Sequence, residues 1–462
     1  MADLRLDRIA ALAGGAVLQG DPALRFRAFG IDSRTTTAGE LFFAVIARRD
    51  GHDFVAEAAA RGAAGAVVSR DVAPPDGRFA LLKVADTVAA LQALAKGVLA
   101  ERPRKVVGIT GSVGKTTTKD FTAALLATRF DVLKSEGNFN NHLGLALSLL
   151  RLLPDQDAAV LEMGMSAPGE IRTLTAIAPP DVAVITNVHP VHLEFLKTLE
   201  AVAAAKAEIL EGLKPGGTAV LNGDDPFTAR IAPVWSGRAI RFGLAPGCDI
   251  RAENVQSRGY DGFEFDVIYG GKRHGVRFPF LAETAILNLL AALGTARALE
   301  LPWDGLRPAI EALRPASKRG RPYRLAQGIV LIDDSYNSNP RALEAALRSY
   351  GRLPARRRIA VLGDMLELGE AAAAYHEQAG ERVAREGWDI LAAVGPLAAR
   401  MTAGARRAGM DSAALHAFAT SEEAAPAVRA LLAEGDLVLV KGSRGIRTEI
   451  VVEAILNAAK ET

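Results

Sequence analysis

The chain has 462 residues, close to half of them hydrophobic, with a formal net charge of +2. That length allows about three domains, each able to bury a core. The near-neutral balance excludes bulk electrostatic attraction to nucleic acid or membrane, and one cysteine, Cys248, excludes an internal disulfide framework.

In chain order, the N-terminus MADLRLDRIAALAG has no signal-peptide pattern, and no apolar run is long enough to cross a bilayer. A cytoplasmic protein is expected. GELFFAV (39–45) reads as a strand, HDFVAEAAARGA (52–63) as a helix and GAVVS (65–69) as a strand. ERPR (101–104) is a polar joint. KVVGI (105–109) is a strand that runs into GITGSVGKTTT (108–118), and TTTKDFTAALLATRF (116–130) follows with helical spacing. AAVLEMG (158–164), DVAVITN (181–187) and GTAVLNGDD (217–225) are apolar runs ending in polar residues, the pattern of strands buried on both faces of a parallel sheet. Ligands bind at the carboxyl ends of such strands. The stretch 245–280 alternates as antiparallel strands do, and ETAILNLLAALGTARALEL (283–301) is helical. GIVLIDDSY (328–336), RIAVLGDM (358–365), DILAAVG (389–395) and DLVLVKGS (436–443) are four more strands separated by helical stretches. This predicts a second α/β layer unit without a G-x-G-x-x-G dinucleotide fingerprint.

The glycine loop lies between a strand and a helix, where backbone N–H groups and the helix dipole favour phosphate. Lys115 can reach outer phosphates and the Thr116 hydroxyl can bind Mg²⁺. The bland reading is an ordinary turn. Position 109, where the usual P-loop has its first glycine, holds Ile109. Glu162, Asn187, His189 and His192 follow the neighbouring strands. Separately, Glu162 reads as a cap or salt-bridge residue and His192 as a helix-end histidine. Together at adjacent strand ends they suggest ligands for a metal that accompanies a triphosphate.

TGSVGKTT, GNFNNHLG (137–144), LEMGMSAPGEI (161–171), NVHPVHLEFL (187–196), AKAEIL (205–210), LNGDD (221–225) and RGRP (319–322) resemble the signature series of the Mur ligases, ATP-dependent amide-forming enzymes of peptidoglycan precursor synthesis. Their loop is G-x-x-G-K-[TS]-[TS], which Gly111 and Gly114 fit. DDSYNSNP (333–340), LGDMLELG (362–369) and VKGSRG (440–445) resemble the branch that joins D-alanyl-D-alanine to UDP-N-acetylmuramoyl-tripeptide. DSRTTTAGELFFAV (32–45) and DGHDF (50–54) look like its uridine-nucleotide domain. Three stretches depart from the pattern. AVIARRDGHDF lacks a glycine, Ala146 replaces a proline, and HLEFLKT replaces the commoner HLE-x-FGS.

The resemblance implies an α/β protein of three domains. These are a small mixed α/β uridine-nucleotide domain (1–102), a central P-loop parallel-sheet ATPase domain (103–320) and a C-terminal Rossmann-like ligase domain (321–462). It implies a cytoplasmic, monomeric ligase that consumes ATP with two Mg²⁺ and forms an acyl phosphate. ATP would be held by Gly111, Ser112, Val113, Gly114, Lys115, Thr116, Thr117, Asn288, Arg321 and Asp334. Thr116, Glu162, His192 and a carbamylated Lys206 would hold metal, and Lys115, Lys206, His192 and Glu162 would be catalytic. Ser33 and Arg34 would bind the uridine diphosphate portion; Asn140 and Asn141 would also bind substrate, and Tyr336 and Asn337 would lie near the dipeptide. Read alone, Lys206 is a surface lysine and Asn288 a helix-interior amide. The competing functions are a sister amino-acid ligase or a folylpolyglutamate synthetase-like ligase, a non-catalytic nucleotide-gated binding protein, and a small-molecule kinase.

Overall fold

The computed structural model describes residues 3–137, 139–190 and 196–458. His192, one of the expected metal ligands, lies outside the described residues. The architecture is α/β throughout, and each of its three domains is built on its own sheet.

The first sheet has five strands in the order Ala16–Gln19, Ala80–Lys83, Gly65–Val68, Glu40–Phe43 and Ala28–Gly30. Only the first pairing is antiparallel. The helix expected over 52–63 is shorter: a 3-10 turn, Gly51–Phe54, leads into Val55–Ala60. Asp50 sets that entry by accepting from the His52 N–H at 3.0 Å, as a helix-opening acidic residue does.

The central sheet has nine strands. Its parallel part runs Val132–Lys134, Ala158–Glu162, Lys105–Thr110, Val182–Ile185, Thr218–Asn222, Arg238–Gly243 and Ile250–Ser257. Every residue of Ala158–Glu162, Val182–Ile185 and Thr218–Asn222 is buried. Helices cover both faces, which is why these strands read as continuous apolar runs. Phe263–Tyr269 and Lys272–Phe278 extend the sheet as an antiparallel arm. Phe278, Phe280 and Phe121 meet there, with ring centroids 4.6, 4.8 and 5.8 Å apart. Phe121 belongs to the helix Lys115–Leu126, so this cluster clamps the helix that opens at the glycine loop.

The third sheet orders its strands Arg321–Arg324, Val330–Asp334, Asp436–Lys441, Arg357–Gly363, Ile390–Val394 and Leu415–Phe418. All pairings but the first are parallel.

The cores are shared unequally. One apolar core runs without a break from Leu6 and Phe26 of the first domain, through Leu91 and Leu94 on the helix Thr87–Ala100, to Leu145 and Leu161 beneath the central sheet. The third domain has a core on each face, and the one that contains Leu343 and Leu347 also takes in Leu281 of the central domain. Its ties to the central domain include the Tyr260 hydroxyl donating to the Pro354 carbonyl at 2.6 Å and the Glu283 N–H donating to Ser349 Oγ at 3.3 Å.

Candidate active site

The strand Lys105–Thr110 delivers the chain into a loop that only glycine can follow at two points. Gly111 has φ +148° and Gly114 φ +86°, and a methyl group on them would meet Thr186 Oγ1 at 1.9 Å and Asn288 Oδ1 at 2.3 Å. Side chains from the next strand brace the loop. The Ser112 and Val113 N–H groups donate to the Asn187 carbonyl and to Asn187 Oδ1 at 3.0 and 2.9 Å. Thr186 Oγ1 and Asn187 Nδ2 both donate to the Val113 carbonyl, at 2.7 and 3.0 Å. Ser112 Oγ donates to the His189 carbonyl at 2.9 Å and accepts the His189 N–H at 2.8 Å. Asn187 is therefore a brace of the loop, a role its sequence position alone did not reveal. Burial holds the His189 imidazole below its ordinary pKa.

Lys115 opens the following helix and folds back, donating from Nζ to the Gly111 and Ser112 carbonyls at 2.8 and 3.3 Å. Burial lowers the pKa of its ammonium, Glu162 opposes that shift and Arg319 adds to it. Beside it, the Thr116 hydroxyl donates to Glu162 Oε2 at 2.8 Å, and Asn140 Nδ2 donates to Glu162 Oε1 at 2.9 Å. Glu162 ends its strand buried, with its N–H donating to Ser135 Oγ at 3.1 Å. Gly164 leaves room for Asn140, whose amide carbon would stand 2.8 Å from a Cβ there. The Thr118 hydroxyl donates to Asn288 Oδ1 at 3.3 Å, which brings the helix Thr284–Ala298 to the loop. Thr117 sits half-buried on the same first turn.

Lys206, on the helix Leu199–Glu211, is 2 % exposed, far from the surface lysine that its neighbours in sequence suggest. Burial, and then the Lys115 charge, hold its pKa well below the ordinary lysine value. Among the described residues no hydrogen bond or ion pair reaches its Nζ. Lys115, Thr116, Glu162, Asn140 and Asn288 thus converge on one strand-end cradle.

Other expected residues take different positions. Asn141 caps the helix His142–Leu149 by accepting from the Gly144 N–H at 2.8 Å. Arg321 turns outward, its guanidinium 5.2 Å from the Tyr323 ring centroid. The arginine that reaches the cradle is Arg319, donating from Nη2 to Thr116 Oγ1 at 3.2 Å. The only sequence signal for it was the pair of arginines flanking Gly320, and spacing could not choose between them. Asp334 pairs with the buried Lys441 at 2.7 Å, and Lys441 also donates to the Asn337 carbonyl at 2.9 Å. Tyr336 lies beneath the Arg319 guanidinium. In the first domain the Ser33 hydroxyl donates to Glu57 Oε2 at 3.2 Å and Arg34 pairs with Asp32 at 2.7 Å. Both follow the carboxyl end of the strand Ala28–Gly30, in the first domain's own edge rather than the cradle.

A second concavity, of about 380 Å³, lies between Pro190 of the central domain and two helices of the third, Pro340–Gly351 and Ala372–Arg385. Arg341, Glu344 and Arg382 line it, with Glu344 ion-paired to both arginines.

Residues 109–296 match the Mur ligase middle domain, and residues 318–444 match the Mur ligase glutamate ligase domain. The chain is 34 % identical to the UDP-N-acetylmuramoyl-tripeptide–D-alanyl-D-alanine ligase of Bacillus subtilis, with 92 % of each chain covered. It is 34 % identical to the Escherichia coli enzyme of the same name, again over 92 % of both. Among solved structures, MurF from Acinetobacter baumannii superposes with a TM-score of 0.90 at 30 % identity over 99 % of both chains. MurF from Thermotoga maritima in complex with ADP superposes with a TM-score of 0.82 at 31 % identity, over 94 % of this chain and 98 % of that one.

Proposed function

The chain belongs to the Mur ligase family, and from that premise we infer how its residues perform the reaction of its relatives. It is an ATP-dependent carbon–nitrogen ligase of peptidoglycan precursor synthesis that joins D-alanyl-D-alanine to UDP-N-acetylmuramoyl-tripeptide. The observation that carries the residue-level reading is the Lys115, Thr116 and Glu162 cluster on the glycine loop.

A carboxylate does not react with an amine in neutral water, because its oxygen is a poor leaving group. The terminal carboxylate of the tripeptide attacks the γ-phosphorus of ATP, and ADP leaves. The dipeptide amine then attacks the acyl carbon, inorganic phosphate departs, and the amine gives up a proton. Several anions must share this space, so the loop N–H groups and the Lys115 ammonium stabilise charge as it moves. Lys115 is held for this by the Gly111 and Ser112 carbonyls. The Thr116 hydroxyl and the Glu162 carboxylate are 2.8 Å apart and both are oxygen donors, which suits Mg²⁺. Bound there, Mg²⁺ would offset the triphosphate charge.

Lys206 fits a second metal only in modified form, since a bare ammonium repels a cation. Its burial and lowered pKa favour the free amine, which is the form that captures CO₂ as a carbamate. His192 is proposed as a ligand of the same metal on resemblance. Asn288 is proposed for the adenine, Asp334 for the ribose, and Ser33 and Arg34 for the uridine diphosphate. The concavity lined by Arg341, Glu344 and Arg382 is proposed for the zwitterionic dipeptide, which needs a cation and an anion within one small space. Domain boundaries near 102 and 320, a monomeric state and a cytoplasmic location complete the reading.

The test is phosphate release with a matrix of UDP-muramoyl peptides against D-alanine, D-alanyl-D-alanine and other amino acids. Turnover is expected only with the tripeptide and D-alanyl-D-alanine together. Turnover with a single amino acid in place of the dipeptide would overturn the assignment.

A further inference from the structure

The helix Lys115–Leu126 carries a second buried cation that the reaction described above leaves unused. Lys119 follows Thr116 by one helical turn, so the two side chains share a face of that helix. Lys119 is 2 % exposed. Among the described residues its Nζ donates only to the Gly137 carbonyl, at a long 3.4 Å. Asp120 stands 3.9 Å from it and pairs more closely with Lys134, at 2.9 Å. A buried ammonium with so few partners is costly, so its place calls for an electrostatic reason. Both of its neighbours lead to Glu162. Thr116 donates to Glu162 Oε2 at 2.8 Å, and Gly137 belongs to the loop that brings Asn140 to Glu162 Oε1 at 2.9 Å. Ser135, at the start of that loop, accepts the Glu162 N–H at 3.1 Å. Lys119 is thus bracketed by the two elements that hold the carboxylate's oxygens. Burial lowers the pKa of its ammonium, and the Asp120 and Glu162 charges oppose that shift.

We propose that the Lys119 ammonium is a resident counter-charge for Glu162, which keeps a divalent metal from settling at Glu162 and Thr116 until a triphosphate is present. This rests on the ATP-ligase reading above. Without nucleotide, Lys115 and Lys119 already answer the one carboxylate, and a divalent ion would add two more positive charges to a buried space. The triphosphate brings several negative charges and reverses that balance. Metal then enters with the nucleotide and not ahead of it. Lys119 is a positioning residue: it touches neither ligand and couples the two through the charge on Glu162.

The experiment takes the full-length protein through two titrations. One follows Mn²⁺, a paramagnetic stand-in for Mg²⁺, by electron paramagnetic resonance without nucleotide. The other follows a non-hydrolysable ATP analogue in EDTA by calorimetry. A unit charge close to a divalent ion in a protein interior shifts its affinity by about tenfold or more. Lys119→Met should therefore bind Mn²⁺ about tenfold more tightly than the parent, and the metal-free analogue more weakly. A merely structural lesion would weaken both. Unchanged or weakened Mn²⁺ binding, or undiminished binding of the metal-free analogue, overturns the proposal. Lys119→Arg keeps the charge and should not tighten Mn²⁺; tightening there would show that charge is not the cause. Adding Glu162→Gln to Lys119→Met should remove the tightened site, and its persistence overturns the assignment to Glu162. If Lys119→Met does not fold, Lys119→Gln removes the same charge, keeps a donor for the Gly137 carbonyl, and is read by the same two titrations. Failure of the parent to release phosphate with both substrates would instead defeat the ligase reading, so the two failures are separable.

Discussion

A methyl group on Gly114 would stand 2.3 Å from Asn288 Oδ1, on backbone that already has φ +86°. Gly114→Ala is expected to cost about 1–3 kcal/mol of stability through left-handed strain, and more through displacing Asn288. Urea unfolding and ATP-analogue titration should both register it. Lys206→Ala should abolish most ligation, and short carboxylates such as acetate should partly restore it. Parent-level activity without rescue would remove the carbamate hypothesis. These two positions differ in how far the sequence revealed them. The glycine–lysine–threonine run announces itself because phosphate needs that backbone and those donors in one short stretch. Lys206 sits among alanines, and its 2 % exposure comes from packing that no local pattern encodes. Arg319 shows the same limit more sharply. It lies two residues from Arg321, and only the turn at Gly320, with φ +71°, sends one inward and the other out.

The elements that hold the cradle were legible where burial is two-sided. Val182–Ile185 and Thr218–Asn222 are wholly buried, so hydrophobicity alone marks them. Ala16–Gln19 alternates between exposed and half-buried positions over four residues, too short to separate from a turn, and its Leu18 faces solvent, against the usual pattern. The helix Lys115–Leu126 gains its fixed position from a contact far along the chain. Phe121 meets Phe278 and Phe280 edge-on, at 5.8 and 4.8 Å, across more than 150 residues of sequence. Phe121→Ala should cost about 3–5 kcal/mol by opening a cavity there. ATP affinity should fall with it, because the loop and helix move as one piece. A large stability loss with nucleotide affinity unchanged would show that the loop is held by Thr186 and Asn187 alone.

Across the whole molecule, the proposed ATP contacts come from the central domain and from a third domain whose cores lie within it apart from the Leu281 edge of the central domain. The ties between the two include Tyr260 to Pro354 and Glu283 to Ser349. Ligand binding should therefore shift the third domain, closing it on the acyl phosphate and excluding water. Small-angle scattering should report a smaller radius of gyration with an ATP analogue and tripeptide substrate together; identical curves would argue against closure. Limited proteolysis should cut near the joint at 314–320 in the free enzyme and be slowed by the same ligands.

The first domain has no such freedom. Leu91 and Leu94 share a single apolar interior with Leu145 and Leu161, so that pair of domains travels as one rigid barrel and breech. If the substrate's nucleotide end docks on the first domain, as proposed, its reactive terminus would be held at a fixed position relative to the glycine loop. Movement during catalysis would then fall mainly to the third domain, proposed above to carry the incoming amine.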